Sequence, residues 1–332
     1  MELASTHRYP LTVWMGCLLV WLLGGTSEAV PLPPDVEIAR FLYDRPAAFS
    51  LTFDDALDSH ITEAVPILDR HGLRGTFFLY IDNVGDDRPS NWDAWRRVAE
   101  SGHEVSSHSQ THLNMENTSD PDILEFEIVG SFEIIKEKTG IEPLSFAYPY
   151  SAKNDYVMRL VGETYAFDRS DCRVWGGDAF DTAMGKRHVE RAIQRREWDF
   201  VMLHGVGEET WGALEPETLD VLCAYLAERE DQIWTDTYAR VATYVRRRNA
   251  AEVLRRNVES DSFEFRLRLP DRDEFEGLAD VPLTVRIPLD GRDPQGIRGT
   301  LAGDTLSLRT CEKDQFLLAE VPVDAGWVKI YW

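Results

Sequence analysis

The stretch AAFSLTFDDALDSHITEAVPILDRHGLRGTFFLY, residues 47–80, holds the pattern on which the fold turns. An apolar, β-favouring run at Phe49–Phe53 is followed by an amphipathic helical run at Ser59–His71. A second β-favouring run, Gly75–Tyr80, comes next. The alternation continues outward from there. Further strand candidates are Glu104–Ser107, Leu144–Tyr148, Tyr165–Phe167, Phe200–Leu203 and Gln232–Thr235. Between them lie helix candidates Trp92–Ser101, Pro121–Lys138, Asp155–Glu163, Arg187–Arg196 and Pro216–Glu228. A last helix is expected from Tyr238 to about Arg255. Such regular alternation implies parallel βα units, in a barrel or in an open doubly wound sheet. In either arrangement function gathers at the C-terminal ends of the strands.

Those ends are polar. Asp54-Asp55, His108, Tyr148-Pro149-Tyr150, Asp168-Arg169 and His204 each close a strand candidate. Within His108-Ser109-Gln110-Thr111-His112 the two imidazoles are spaced so that a tight turn can aim both at one ion. Adjacent aspartates facing one site repel unless a cation neutralises one of them. One carboxylate with two histidines is a three-ligand set that leaves a position open for water, and the second carboxylate is then a candidate base. His204 ends a very apolar strand and could protonate a leaving group. His60, His71, His103 and His188 fall in helices or loops and read as surface residues.

The chain has 332 residues, enough for one large domain and a small one, and a 43% hydrophobic fraction that fits a globular protein. A net charge of −23 argues against a nucleic-acid surface. Arg246-Arg247-Arg248 is a local exception and reads as a solvated helix end. Arg8 precedes an apolar stretch, Leu11 to Leu23, and small residues lead to Ala29, which is the pattern of a secretory signal over 1–29. The bulky Trp14-Met15 before Cys17 disfavour a lipoprotein site, and the apolar run is short for a membrane span. The expectation is therefore an exported protein, periplasmic or extracellular, with no stable span after cleavage. Residues 30–46 read as a linker that begins with the extended Pro31-Leu32-Pro33-Pro34. Cys172, Cys223 and Cys311 are spaced like neither a zinc ribbon nor a disulfide-stapled module, and read as buried thiols.

After about residue 256 the texture changes to period-two alternation, as in Phe263–Leu269 and Leu283–Ile287, with strand-like runs up to Trp327–Trp332. This is the mark of a small antiparallel all-β domain over 256–332. Trp327, Tyr331 and Trp332 could stack on sugar or pack in a core.

Thr52-Phe53-Asp54-Asp55 and His108-Ser109-Gln110-Thr111-His112, followed by Phe146-Ala147-Tyr148-Pro149-Tyr150 and Leu203-His204, resemble the motifs of the polysaccharide deacetylase family, the NodB-homology domain of carbohydrate esterase family four. The resemblance covers about residues 47 to 240, within a domain read as 47–255, and implies an α/β fold, a distorted (β/α)7 barrel. It implies that Asp55, His108 and His112 bind a divalent metal, most often zinc, with cobalt or nickel able to serve. It makes Asp54 the general base and His204 the general acid, and it places an oxyanion donor in the backbone near Tyr150, within Tyr148-Pro149-Tyr150. Two departures stand out. Tyr148 occupies the place of an arginine that holds the catalytic aspartate, and Arg169 at the next strand end is the candidate substitute. The fourth motif, an aspartate with a tryptophan, is only loosely present in Asp168 to Asp171 with Trp175 beyond, so either Asp168 or Asp171 could orient His204. The activity expected is removal of N-acetyl groups from a glycan. The alternatives are an esterase for O-acetylated polysaccharide, or a glycan-binding protein without turnover.

Overall fold

The computed structural model describes residues 34–332 apart from 171, 208–209, 272 and 312–314; the expected signal at 1–29 and Asp171 lie outside the described residues. The chain enters through β1 (Glu37–Ile38) and then forms β2 (Ala47–Asp54), all eight residues of which are buried. Its side chains alternate between two faces. Ala47, Phe49, Leu51 and Phe53 join the main apolar core, whereas Thr52 on the other face donates a hydrogen bond from Oγ1 to Val201 O at 2.8 Å. Asp54 continues this second face, so the strand's own periodicity aims it into the barrel mouth.

A π-helical turn, His60–Ala64, leads into α1 (Val65–Arg70), and β3 (Thr76–Leu79) follows. Next come α2 (Trp92–Glu100), β4 (Glu104–Ser107), α3 (Pro121–Glu125) and α4 (Ser131–Thr139), the last two joined by a π-helical segment, Phe126–Gly130. The alternation proceeds through β5 (Ser145–Ala147), α5 (Asp155–Thr164), β6 (Phe167–Arg169) and the two-residue β7 (Arg173–Val174). It closes with α6 (Thr182–Arg195), β8 (Trp198–Leu203), α7 (Pro216–Ala227), β9 (Ile233–Thr235) and α8 (Tyr238–Ala250). Asn91, Asn154, Asp181 and Thr237 start four of these helices, their side chains accepting first-turn N–H groups.

The strands run parallel in the order β6-β5-β4-β3-β2-β8-β7, and β9 pairs with the first half of β2. Among the described residues the path ends at β6 and β7, so the sheet curls without closing. This is the distorted (β/α)7 barrel. β6 begins two residues later than its apolar composition suggested, because Phe167 pairs with Ser145 and Ala147 with Arg169. That register carries Arg169 to the rim.

The remaining strands are β10 (Glu252–Arg256), β11 (Ser262–Arg268), β12 (Leu283–Pro288), β13 (Arg298–Leu301), β14 (Asp304–Leu306), β15 (Arg309–Cys311), β16 (Phe316–Val321) and β17 (Val328–Tyr331). They form two antiparallel sheets, β1-β12-β16-β15 and β10-β11-β17-β13-β14. Two sequence expectations are corrected here. The helix expected to reach Arg255 stops at Ala250, because Glu252–Arg256 satisfy their backbone by pairing with Glu264–Arg268. The segment read as a linker contributes β1, paired with Arg286 and Val285, and buries Val36, Phe41 and Leu42 in the β-domain core.

Candidate active site

At the C-terminal rim of the barrel, three ligand atoms of Asp55, His108 and His112 lie within 4.8 Å of one another. His112 Nε2 is 3.3 Å and His108 Nε2 3.7 Å from Asp55 Oδ1. His108 Nδ1 donates to Ala147 O at 2.8 Å, which fixes the tautomer and leaves Nε2 as a lone-pair donor facing the aspartate. Burial lowers His108 to a pKa of about 4, so the ring is neutral, as a ligand must be. Asp55 is pushed up to about 6, first by burial and then by the charge of Asp54. Its Oδ1 is buried and accepts no hydrogen bond from any described residue. A buried carboxylate oxygen facing two neutral imidazoles is a poor arrangement without a cation and a good one with it, so the donor set fits a divalent metal.

The candidate ligands sit among residues of unusual backbone. Asp55, Ala56, Ser109, His112, Tyr150 and Ser151 all have positive φ without being glycine. Each costs about 1–3 kcal/mol and persists only where neighbours enforce it. Here Asn83 Nδ2 donates to Asp55 O at 2.6 Å, and Ser109 Oγ accepts from His112 N–H at 3.0 Å. Glu127, buried in the π-helical segment, accepts from the N–H groups of Gln110 and Thr111 at 3.1 and 2.9 Å.

Asp54 is oriented by Arg169, whose Nη2 donates to Asp54 Oδ2 at 2.5 Å, both side chains being buried. Burial alone would raise the Asp54 pKa; Arg169, His108 and His204 together outweigh it and hold the carboxyl below its ordinary range. Its Oδ1 remains without a hydrogen bond among the described residues. Arg169 Nη1 lies 3.0 Å from Cys172 Sγ, so Cys172 borders the cleft, while Cys223 is the fully buried thiol.

His204 Nε2 stands 3.8 Å from Asp55 Oδ2. Neither expected carboxylate is seen to hold its other nitrogen. Asp168 lies beside Tyr148, whose hydroxyl pKa is raised by burial and then by the Asp168 charge, Asp171 is outside the described residues, and no described residue bonds the buried His204 Nδ1. Trp175 is not in the cleft either: it is a core residue whose Nε1 donates to His188 Nδ1 at 3.0 Å. Pro149–Ser151 form a tight turn in which the N–H groups of Ser151 and Ala152 bond to Tyr148 O and Pro149 O. The turn leaves Tyr150 68% exposed, with its ring edge-on to His112 at 4.6 Å. Trp211, 72% exposed, stands edge-on to His204 at 4.8 Å. Together these groups line a cleft of about 750 Å³.

Sequence reasoning missed Asn83, Glu127 and Trp211, and it misplaced His60 and His103, both of which are buried. For Glu127 a signal was present. It shares a helical run with the buried Leu124 and Ile128, and a buried carboxylate there needs a partner.

Residues 44–165 match the family described as polysaccharide deacetylase. The chain is 24% identical to a gellan lyase of a Bacillus species, over 89% of this chain and 13% of that protein. It is 32% identical to the peptidoglycan-N-acetylglucosamine deacetylase PgdA of Listeria monocytogenes, over 34% of this chain and 23% of that protein. The chain thus spans less than a quarter of the length of either relative. Among solved structures, a family 4 acetyl xylan esterase from Clostridium thermocellum with a cobalt ion is 25% identical, with a TM-score of 0.48 over 59% of this chain and 90% of that one. Residues 44–165 thus carry the likeness to the polysaccharide deacetylase family, and the Thr52–Asp55 and His108–His112 motifs fall within that stretch.

Proposed function

We propose that the chain is an exported, divalent-metal-dependent hydrolase that removes N-acetyl groups from an amino-sugar glycan. The observation that carries this reading is the convergence of the Asp55, His108 and His112 ligand atoms within 4.8 Å, beside an Arg169-held Asp54. A zinc-like ion held by these three residues would supply Lewis-acid activation of water and of the acetyl carbonyl. The protein groups handle the protons. Asp54, kept ionised by Arg169, takes the proton from the attacking water through its unbonded Oδ1. The water oxygen adds to the carbonyl carbon, the C–N bond breaks, and His204 gives a proton to the departing amine. Acetate and a free amino sugar result. The backbone of the Tyr148-Pro149-Tyr150 turn is the candidate oxyanion support, and the exposed Tyr150 and Trp211 offer faces on which a pyranose can stack.

A second reading, hydrolysis of O-acetyl esters, is favoured by one observation. No described carboxylate orients His204, and an alkoxide leaving group asks less of a general acid than an amine does. Export rests on the apolar run Leu11–Leu23; among the described residues no helix is long and apolar enough to cross a membrane. The test is an acetate-release panel over chitooligosaccharides, peptidoglycan fragments and acetylxylan, with EDTA and add-back of zinc, cobalt or nickel. Acetate release from every glycan that is indifferent to chelation would overturn the mechanism. Release from acetylxylan alone would select the ester reading.

A further inference from the structure

Ser59 and His60 lie outside the cleft, on the turn that leaves the aspartate pair. His60 is fully buried, packed edge-on to Phe53 at 5.5 Å and against Phe77 at 5.7 Å. An imidazole in such surroundings is costly to bury, and among the described residues its Nδ1 has no hydrogen-bond partner. Its Nε2 donates to the carbonyl oxygen of His204 at 3.0 Å. The neighbouring Ser59 Oγ accepts the N–H of Val206, also at 3.0 Å. The two bonds bracket Gly205, the softest backbone position of the segment. On the opposite side Leu214 N–H donates to Gly205 O and Gly207 N–H to Leu214 O, both at 2.9 Å. The backbone that carries His204 is therefore gripped by the same turn that carries Asp54 and Asp55.

We infer that Ser59 and His60 form a backbone clip that positions His204 for proton delivery to the leaving group, an inference that rests on the hydrolase reading above. The clip matters because no described side chain holds His204 Nδ1. The ring's place is set by its backbone and by the edge contact with Trp211. Holding the His204 backbone to the turn that follows Asp54 and Asp55 fixes the spacing between these groups. Ser59 and His60 touch no substrate; they are positioning residues.

Substrates that differ only in their need for a general acid test this directly. The metal-loaded full chain and its His60→Met, His60→Gln and Ser59→Ala variants are assayed on an N-acetylated chitooligosaccharide and on an aryl acetate. The amine must be protonated as it leaves, whereas the phenolate need not be. His60→Met and Ser59→Ala are expected to lower kcat on the amide by roughly tenfold or more, with KM within about twofold. On the aryl acetate they lose under about threefold, and metal content stays at the wild-type level. His60→Gln, whose amide reaches about as far as Nε2, should recover most of the amide rate. Equal losses on both substrates, or an unchanged amide rate, overturn the clip. If His60→Met does not fold, Ser59→Ala carries the same comparison from the other side of Gly205. Wild-type protein that hydrolyses neither substrate overturns the hydrolase reading, and the clip's catalytic meaning with it.

Discussion

Asp54 and Asp55 are neighbours with opposite electrostatic surroundings. Arg169 holds one ionised, and burial raises the other until a cation relieves it. The division of labour follows from that difference. Asp54→Asn should retain the metal and lose roughly 10²–10⁴ in kcat, whereas His108→Ala should lose metal and activity together. Metal analysis beside initial rates distinguishes the two. Arg169→Lys keeps a charge but shortens the reach and gives up the contact with Cys172, so a rate loss of roughly tenfold or more is expected. A near-wild-type rate would refute the role of Arg169 in holding the base. His60 makes a pH prediction. Burial lowers its pKa from an ordinary 6.5 to about 4, so the unfolded chain binds the extra proton first. Its contribution to stability is full above pH 6.5 and drains away as pH falls toward 4, amounting to about 3 kcal/mol. Urea midpoints measured across that interval should fall for the wild type more steeply than for His60→Gln.

At the scale of elements, the site depends on loops that approach each other closely. Gly176 has φ +149°, and a Cβ there would lie 1.8 Å from Gly212 O, next to Trp211. Gly177, at φ +81°, has nothing within 4 Å of the same atom. Gly176→Ala must therefore displace the loop that carries Trp211, whereas Gly177→Ala incurs only backbone strain of about 1 kcal/mol. Calorimetry with glycan kinetics should show Gly176→Ala losing more stability and raising KM, with Gly177→Ala close to wild type in KM. Glu127 illustrates the same dependence, since a helix-borne carboxylate shapes the turn between His108 and His112.

On the scale of the whole molecule, barrel and β-domain share apolar contacts. Trp234, Val241 and Tyr244 of the barrel pack in one cluster with Val36, Phe41 and Leu42 before it and with Phe263, Val285 and Ile330 after it. Truncation after Ala251 would strip this cover, and each large side chain exposed costs about 1.5–3 kcal/mol. The truncated chain should be recovered mainly as aggregate, while the full chain is soluble; an active, monodisperse truncation would show the barrel to be self-sufficient. Much of this organisation was readable from local order. The strand-helix period, the carboxylate pair, the His-x-x-x-His spacing and the apolar strand ending in His204 are short-range patterns, set by backbone geometry within a few residues. Folding alone decided what sequence distance hides. It brought Arg169 onto Asp54 across 115 positions and set Asp168 beside Tyr148. It also buried His60 beneath the backbone of His204 and drew β1 from the supposed linker into a sheet completed near the other end of the chain. A residue's period in the sequence tells which face it occupies; which distant group meets it there depends on strand order and register, and those are set by the packing of the entire sheet.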